Sequence, residues 1–167
     1  MANIPSPLNY FIGKGILSWK GSTDINYRDL GNTPLFEITP QTSRKDHYSA
    51  RKGIRFLDSN PVDSKRYSCK FHMEEWTLDN MALALMGTID SANLLHAGVL
   101  DEVTGSLKLE GTNEIGEKNE VIVPFVNIAP SGVISFIGEN WGVLEVTGEV
   151  TGDPTTGSFF TVSKLNT

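Results

Sequence analysis

The chain has 167 residues, 39% of them hydrophobic, and a formal net charge of -6. That length fits one domain with a real core, and the acidic balance argues against general binding to nucleic acid or membrane surfaces. The single cysteine, Cys69, excludes an internal disulfide and suits a reducing compartment. No segment approaches the ~20 apolar residues of a membrane span, and Pro5 and Pro7 interrupt the N-terminus where a signal peptide would be continuously apolar. The expectation is a soluble protein made in a cytoplasm. Its charge is unevenly placed: residues 1–76 hold 11 Lys/Arg against 8 Asp/Glu, and residues 77–167 hold 3 against 12. A basic half and an acidic half suit a protein that meets copies of itself.

In chain order, residues 1–9 read as a flexible arm, and Tyr10 to Lys20 alternates loosely as a first strand. Gly21 to Asn26 has turn chemistry, and Tyr27 to Leu30 can pair back. Leu35 to Thr39 is a short strand between Pro34 and Pro40. The clearest strand is Ser64 to Trp76, with Tyr67, Cys69, Phe71 and Met73 on one face and Lys70, His72 and Glu74 on the other. The period then changes. Thr77 can cap a helix with an apolar stripe of Leu78, Met81, Ala82, Leu85 and Met86, closed by Gly87.

The remainder reads as β. Val99–Val103 and Ser106–Gly111 are short strands, Asn113–Asn119 is a turn or hairpin tip, and Glu120–Ile128 is an edge or bulged strand because Pro124 lies inside it. Val133–Ile137 is apolar on both faces and reads either as a buried strand or as a helical turn. Gly142–Thr151 alternates cleanly, with Leu144, Val146, Gly148 and Val150 inward, and Ser158–Val162 is a last strand. These elements predict a single domain over 1–167: a mainly antiparallel β-sandwich or barrel with one flanking α-helix.

Between two of these strands, Gln41–Pro61 shows no apolar period. Structureless stretches beyond about 12–15 residues are uncommon in compact domains and are usually binding loops or linkers. This one carries Arg44, Lys45, Arg51, Lys52 and Arg55, with His47, Tyr48, Ile54, Phe56 and Leu57 interleaved. Arginines want carboxylates or phosphates, and large apolar side chains want burial. The loop is therefore expected to contact another subunit through Arg44, Lys45, His47, Tyr48, Arg51, Lys52 and Arg55. In so acidic a chain, a protein partner fits better than nucleic acid.

No catalytic, cofactor or metal constellation stands out. His47, His72 and His96 are scattered and match no zinc spacing. Gly111 to Lys118 resembles a phosphate loop only superficially, because Glu117 separates Gly116 from Lys118 and Asn119 stands where Ser or Thr is needed. Glu74 and Glu75, as strand neighbours, are expected on opposite faces. Ser131 lacks the context of a nucleophile elbow.

Taken in order, IGKGILSWKG (12–21), YRDLGNTPLFEITP (27–40), KDHYSARKGIR (45–55), EEWTLDNMALALMG (74–87), VIVPFVNIAPSG (121–132) and FIGENWGVLEVTGEV (136–150) resemble the major tail tube proteins of long-tailed bacteriophages. The likeness lies in the order of these segments over almost the whole chain. It implies a structural virion protein without enzymatic activity or cofactor, self-assembling into stacked hexameric rings that form the phage tail tube, the conduit for DNA ejection. It also implies tail tip, tape measure and terminator proteins as partners, and DNA transiting the lumen without specific binding. A lumen that DNA must pass is better acidic than basic, because DNA carries one negative charge per ~1.7 Å of axis. Glu145 and Glu149, opposite the inward residues of their strand, are the candidate lumen-facing acids; the same face reads almost as well as a solvated outer wall. The alternative function is a β-sandwich module for carbohydrate or host-surface recognition, using Trp19, Trp76 and Trp141 as stacking platforms.

Overall fold

The structure, a computed structural model, describes residues 10–51 and 53–165. The expected N-terminal arm, 1–9, and Lys52 lie outside the described residues. In chain order the elements are β1 (Gly15–Gly21), β2 (Arg28–Asp29), β3 (Leu35–Arg44), β4 (His47–Ser49), β5 (Phe56–Ser59), β6 (Val62–Met73) and α1 (Leu78–Ala84). They continue with β7 (Thr88–Ile89), β8 (Leu95–His96), β9 (Val103–Gly111), β10 (Asn119–Pro130), β11 (Leu144–Val150) and β12 (Thr161–Lys164). Eight strands form one antiparallel sheet in the order β2-β1-β9-β10-β11-β6-β3, with β12 also paired to β10. The fold is mainly β with one flanking helix, as the sequence predicts. The sheet stays open, however, with β2 and β3 as its ends, so it is not a closed barrel.

One face of this sheet carries the core. Leu17 and Trp19 of β1, Phe71 and Met73 of β6, Leu107 of β9, Val123 and Ile128 of β10, and Leu144 and Val146 of β11 belong to one buried cluster. Strands near opposite ends of the sheet share that cluster, so the sheet curls over its own inner face. Strict alternation along β6 and β11 places their apolar residues inward, because successive side chains of a strand point to opposite faces. Pro124 is accommodated by a bulge: the β9–β10 register shifts between Val123 and Val126. β10 is thus a bulged internal strand.

The helix forms where expected, with the Thr77 hydroxyl accepting the Asn80 backbone N–H at 3.2 Å. Its buried face is different from the expected stripe. Asn80, Leu83 and Ala84 are buried, while Leu78 is exposed and Met81 and Leu85 are half-buried. Asn80 explains the rotation. Its amide donates to the Leu30 and Glu75 carbonyls at 3.0 and 2.9 Å and accepts from Arg28 at 2.6 Å, fixing α1 onto β2 through a fully bonded buried polar group.

Other boundaries move. β1 begins at Gly15, leaving Tyr10–Lys14 irregular, and residues 99–102 are not strand. β9 runs unbroken through Gly105, and β12 starts at Thr161. β7 and β8 form a small hairpin that the sequence did not suggest. Val133–Ile137 is neither strand nor helix but part of an irregular loop, residues 131–143. The largest difference concerns Gln41–Pro61. It is not structureless: β3 continues through Pro40 to Arg44 and pairs with β6 back to Val62, and β4 pairs with β5 beyond it. Pro40 is tolerated because β3 is the terminal strand.

Candidate functional site at two poles of the sheet

β11 covers β6 only from Tyr67 to Met73, while β3 follows β6 out to Val62. Beyond Tyr67 the two strands therefore leave the sheet as a two-stranded arm, capped by β4, β5 and the turn between them. Ten residues of extended chain reach at most about 30 Å. Tyr67 marks the root, packed against Phe159 and Phe160 at ring separations of 4.6 and 5.6 Å.

The arm is held by polar contacts rather than by burial. At the neck, the Lys45 N–H donates to the Pro61 carbonyl at 3.0 Å and the Arg44 guanidinium donates to the Asn60 carbonyl at 3.1 Å. The Asn60 amide also reaches Asp46. Farther out, His47 Nδ1 lies 2.5 Å from Asp58, and the Tyr48 hydroxyl donates to Asp46 at 3.4 Å. Of the residues expected to make contacts, Arg44, His47 and Tyr48 thus have partners within the arm. The side chains of Lys45, Arg51 and Arg55 are exposed and make no ion pair among the described residues. Around them, Tyr48, Ile54, Phe56, Leu57 and Val62 are exposed apolar side chains.

The opposite pole is apolar too. Leu144 pairs with Met73 and Val150 with Tyr67, so residues 131–143, which lead into Leu144, lie at the end of the sheet away from the arm. Here Ile137 is 94% exposed, Trp141 92%, Val133 86% and Phe136 73%. Sequence reasoning missed this patch because a run apolar on both faces signals burial in a lone chain. The loop is nonetheless anchored. Phe136 meets Trp76 edge-to-face at 5.4 Å, and a side chain at Gly142 would strike the Trp76 ring at 2.7 Å. A cleft of about 310 Å³ opens between Glu74, Trp76, Phe136, Asn140 and Trp141.

Glu74 and Glu75, just past the end of β6, converge rather than diverge. Glu75 accepts the Asn32 backbone N–H at 3.2 Å, and Glu74 accepts the Asn32 side-chain amide. Gly31, with φ +78°, must be glycine here: a Cβ would lie within 2.5 Å of the Glu75 carboxylate.

Glu145 and Glu149 share the outer face of β11. Lys70 sits 3.0 Å from Glu145 and His72 3.7 Å away, so Glu145 is paired across the sheet. The hydrogen bond from Lys70 holds its carboxyl below the usual glutamate value. Glu149, exposed opposite Ser68, has no ion-pair partner among the described residues. Cys69 points the other way, into the core, where burial pushes its thiol up to about 12.

The resemblance of 111–118 to a phosphate loop fails structurally: the buried Asn113 amide fills it, donating to the carbonyls of Ile115, Gly116 and Glu117 at 2.8, 3.1 and 3.2 Å. A cleft of about 690 Å³ surrounds Tyr27 on the outer face. There the Tyr27 hydroxyl lies 2.5 Å from Ser106 Oγ, with Lys20 and Lys108 over its ring. Among the described residues, no group of three or more His, Cys, Asp or Glu could hold a metal ion, and no helix is long and apolar enough to cross a membrane.

The sequence profile of the family described as "protein of unknown function UCP028589" matches residues 10–94. The chain belongs to that family. The match takes in β1 through β7, with the whole arm and α1, and stops before β9 and the loop 131–143. No curated protein matches the chain.

Proposed function

We propose that this protein is a structural, self-assembling virion component of the phage tail tube kind, forming stacked rings through its projecting arm. The observation that carries the reading is the arm itself: a long ladder in which, among the described residues, only Ser49 is buried, with apolar side chains and basic side chains that make no ion pair among the described residues along it. A lone chain gains little from ordering such a segment, whose entropy cost is of the order of 1–2 kcal/mol per residue for the backbone alone. A second surface that covers Ile54, Phe56 and Leu57 and pairs Arg51 and Arg55 supplies the missing stabilisation. The open sheet adds to this. Among the described residues, β3 at the sheet end has no partner on its outer edge, and neighbouring copies that join such edges remove a liability of free strands.

In this reading the tube is hexameric and DNA moves through its lumen without specific contact. The face bearing Glu145 and Glu149 remains the proposed lumen wall. Glu149 is the stronger repulsive charge there, since Lys70 neutralises Glu145. The alternative, a module stacking sugars on three tryptophans, has less support. Trp19 is buried in the core and Trp76 is half-buried, which leaves Trp141 alone fully presented.

Negative-stain electron microscopy of the purified chain tests the proposal. Rings or tubes of uniform diameter are expected. Uniform small particles at every concentration would refute it.

A further inference from the structure

We propose that the cleft between Trp76, Phe136 and Trp141 is the acceptor for the arm of a second copy, taking the guanidinium of Arg51 or Arg55 against Glu74. This rests on the self-assembly reading and names the surface that receives the arm. Three observations converge on it. The first is placement: arm and cleft leave opposite ends of the same sheet, so an arm does not reach its own cleft, and contact requires another molecule. A contact between two different surfaces is heterologous, and repeating it propagates into a ring or filament.

Charge is the second. Residues 41–66 hold 7 Lys/Arg against 3 Asp/Glu. The segments at the other pole, 74–98 and 131–143, hold 5 Asp/Glu and no Lys or Arg. Opposed surfaces of this kind fix register and partner choice. The third is local chemistry. A guanidinium is planar, weakly hydrated and always charged, so it stacks on aromatic faces while forking onto a carboxylate. The cleft offers three aromatic rings with the Glu74 carboxylate at its edge, and Glu139 lies exposed on the same loop.

Area is adequate as well. Covering Phe136 and Trp141 would remove roughly 300–400 Å² on one side. That is a large part of the ~800 Å² per partner of a standard interface. Val133 and Ile137 on the loop, and Ile54 and Phe56 on the arm, supply further apolar surface around the arginine.

Full-length single variants Gly53→Cys, at the arm tip, and Asn140→Cys, on the loop, test the pairing with a short bis-maleimide. A Cβ at Gly53 meets open space and Asn140 is exposed, so both changes suit the fold. Buried Cys69 does not compete. Under assembling conditions a mixture of the two variants should give a cross-linked pair, and each variant alone should give none. Trp141→Ser in the otherwise unchanged chain should raise the concentration needed for assembly about tenfold or more, as for a buried aromatic anchor. If the mixture assembles but cross-links no more than the single variants, or Trp141→Ser assembles like the parent, the acceptor assignment is wrong while self-assembly stands. A parent chain that never assembles overturns both.

Discussion

β6 passes through two environments, and the contrast between its halves is instructive. From Tyr67 to Met73 it lies between β11 and β3, and Cys69, Phe71 and Met73 are buried beneath it. From Val62 to Arg66 the same strand pairs, among the described residues, with β3 alone, and all its side chains but the half-buried Ser64 are exposed. Backbone hydrogen bonds build both halves. Only the first is also held by the hydrophobic effect, at roughly 1.5–3 kcal/mol for each fully buried large side chain. The sheet half is specified by the chain itself, whereas the arm is an extended structure whose apolar surface is left exposed.

Substitutions should separate the two halves most sharply in the core. Phe71→Ala removes a fully buried ring and is expected to cost about 3–5 kcal/mol, read as a lowered urea midpoint for the isolated subunit. A midpoint close to the parent's would mean that the β6–β11 layer is not the stability core. Next comes the helix. Leu83→Ala should cost about 2–5 kcal/mol, and Leu85→Ala distinctly less because Leu85 is only half-buried. A reversed order would restore the stripe that simple periodicity predicts for α1.

On the arm, Phe56→Ser should change subunit stability by no more than about 0.5 kcal/mol, as for an exposed site, while impairing assembly measured by light scattering. A large loss of subunit stability would show that the arm belongs to the core after all. The smallest effect is electrostatic. Glu145 has its folded-state pKa depressed by Lys70, so the pair's contribution is present above the unfolded value, near 4.5, and fades as pH falls through the folded value. Lys70→Met should move the Glu145 titration upward by NMR, with well under 1 kcal/mol of stability involved because both groups are partly exposed. An unmoved titration would mean that the pair is not formed in solution.

What the sequence revealed follows the same division. β6 and β11 were legible because burial on one face imposes a period of two, and Pro124 inside a strand left an edge strand or a bulge as the alternatives, of which the bulge is found. The arm showed no period because its side chains are almost all exposed on both faces, Ser49 being buried, so a regular β-ladder looked like a loop. Its composition marked Arg44, Lys45, His47, Tyr48, Arg51, Lys52 and Arg55 alike for contacts elsewhere, whereas Arg44, His47 and Tyr48 have partners within the arm. Asn80 was invisible as a core residue, since a polar side chain satisfied by Leu30, Glu75 and Arg28 depends on contacts up to 52 residues away. The loop 131–143 misled for a related reason: Val133, Phe136 and Ile137 are exposed, yet apolar residues left at the surface have the same pattern in sequence as residues destined for the core.

Sedimentation velocity of the Arg51→Glu/Arg55→Glu double variant beside the parent chain tests the central claim most directly. Large assemblies are expected for the parent, weakened as salt screens the arm's charges. The variant should be a folded, monodisperse subunit with an unchanged urea midpoint. A variant that assembles as extensively as the parent would show that the arm is not what joins one copy to the next.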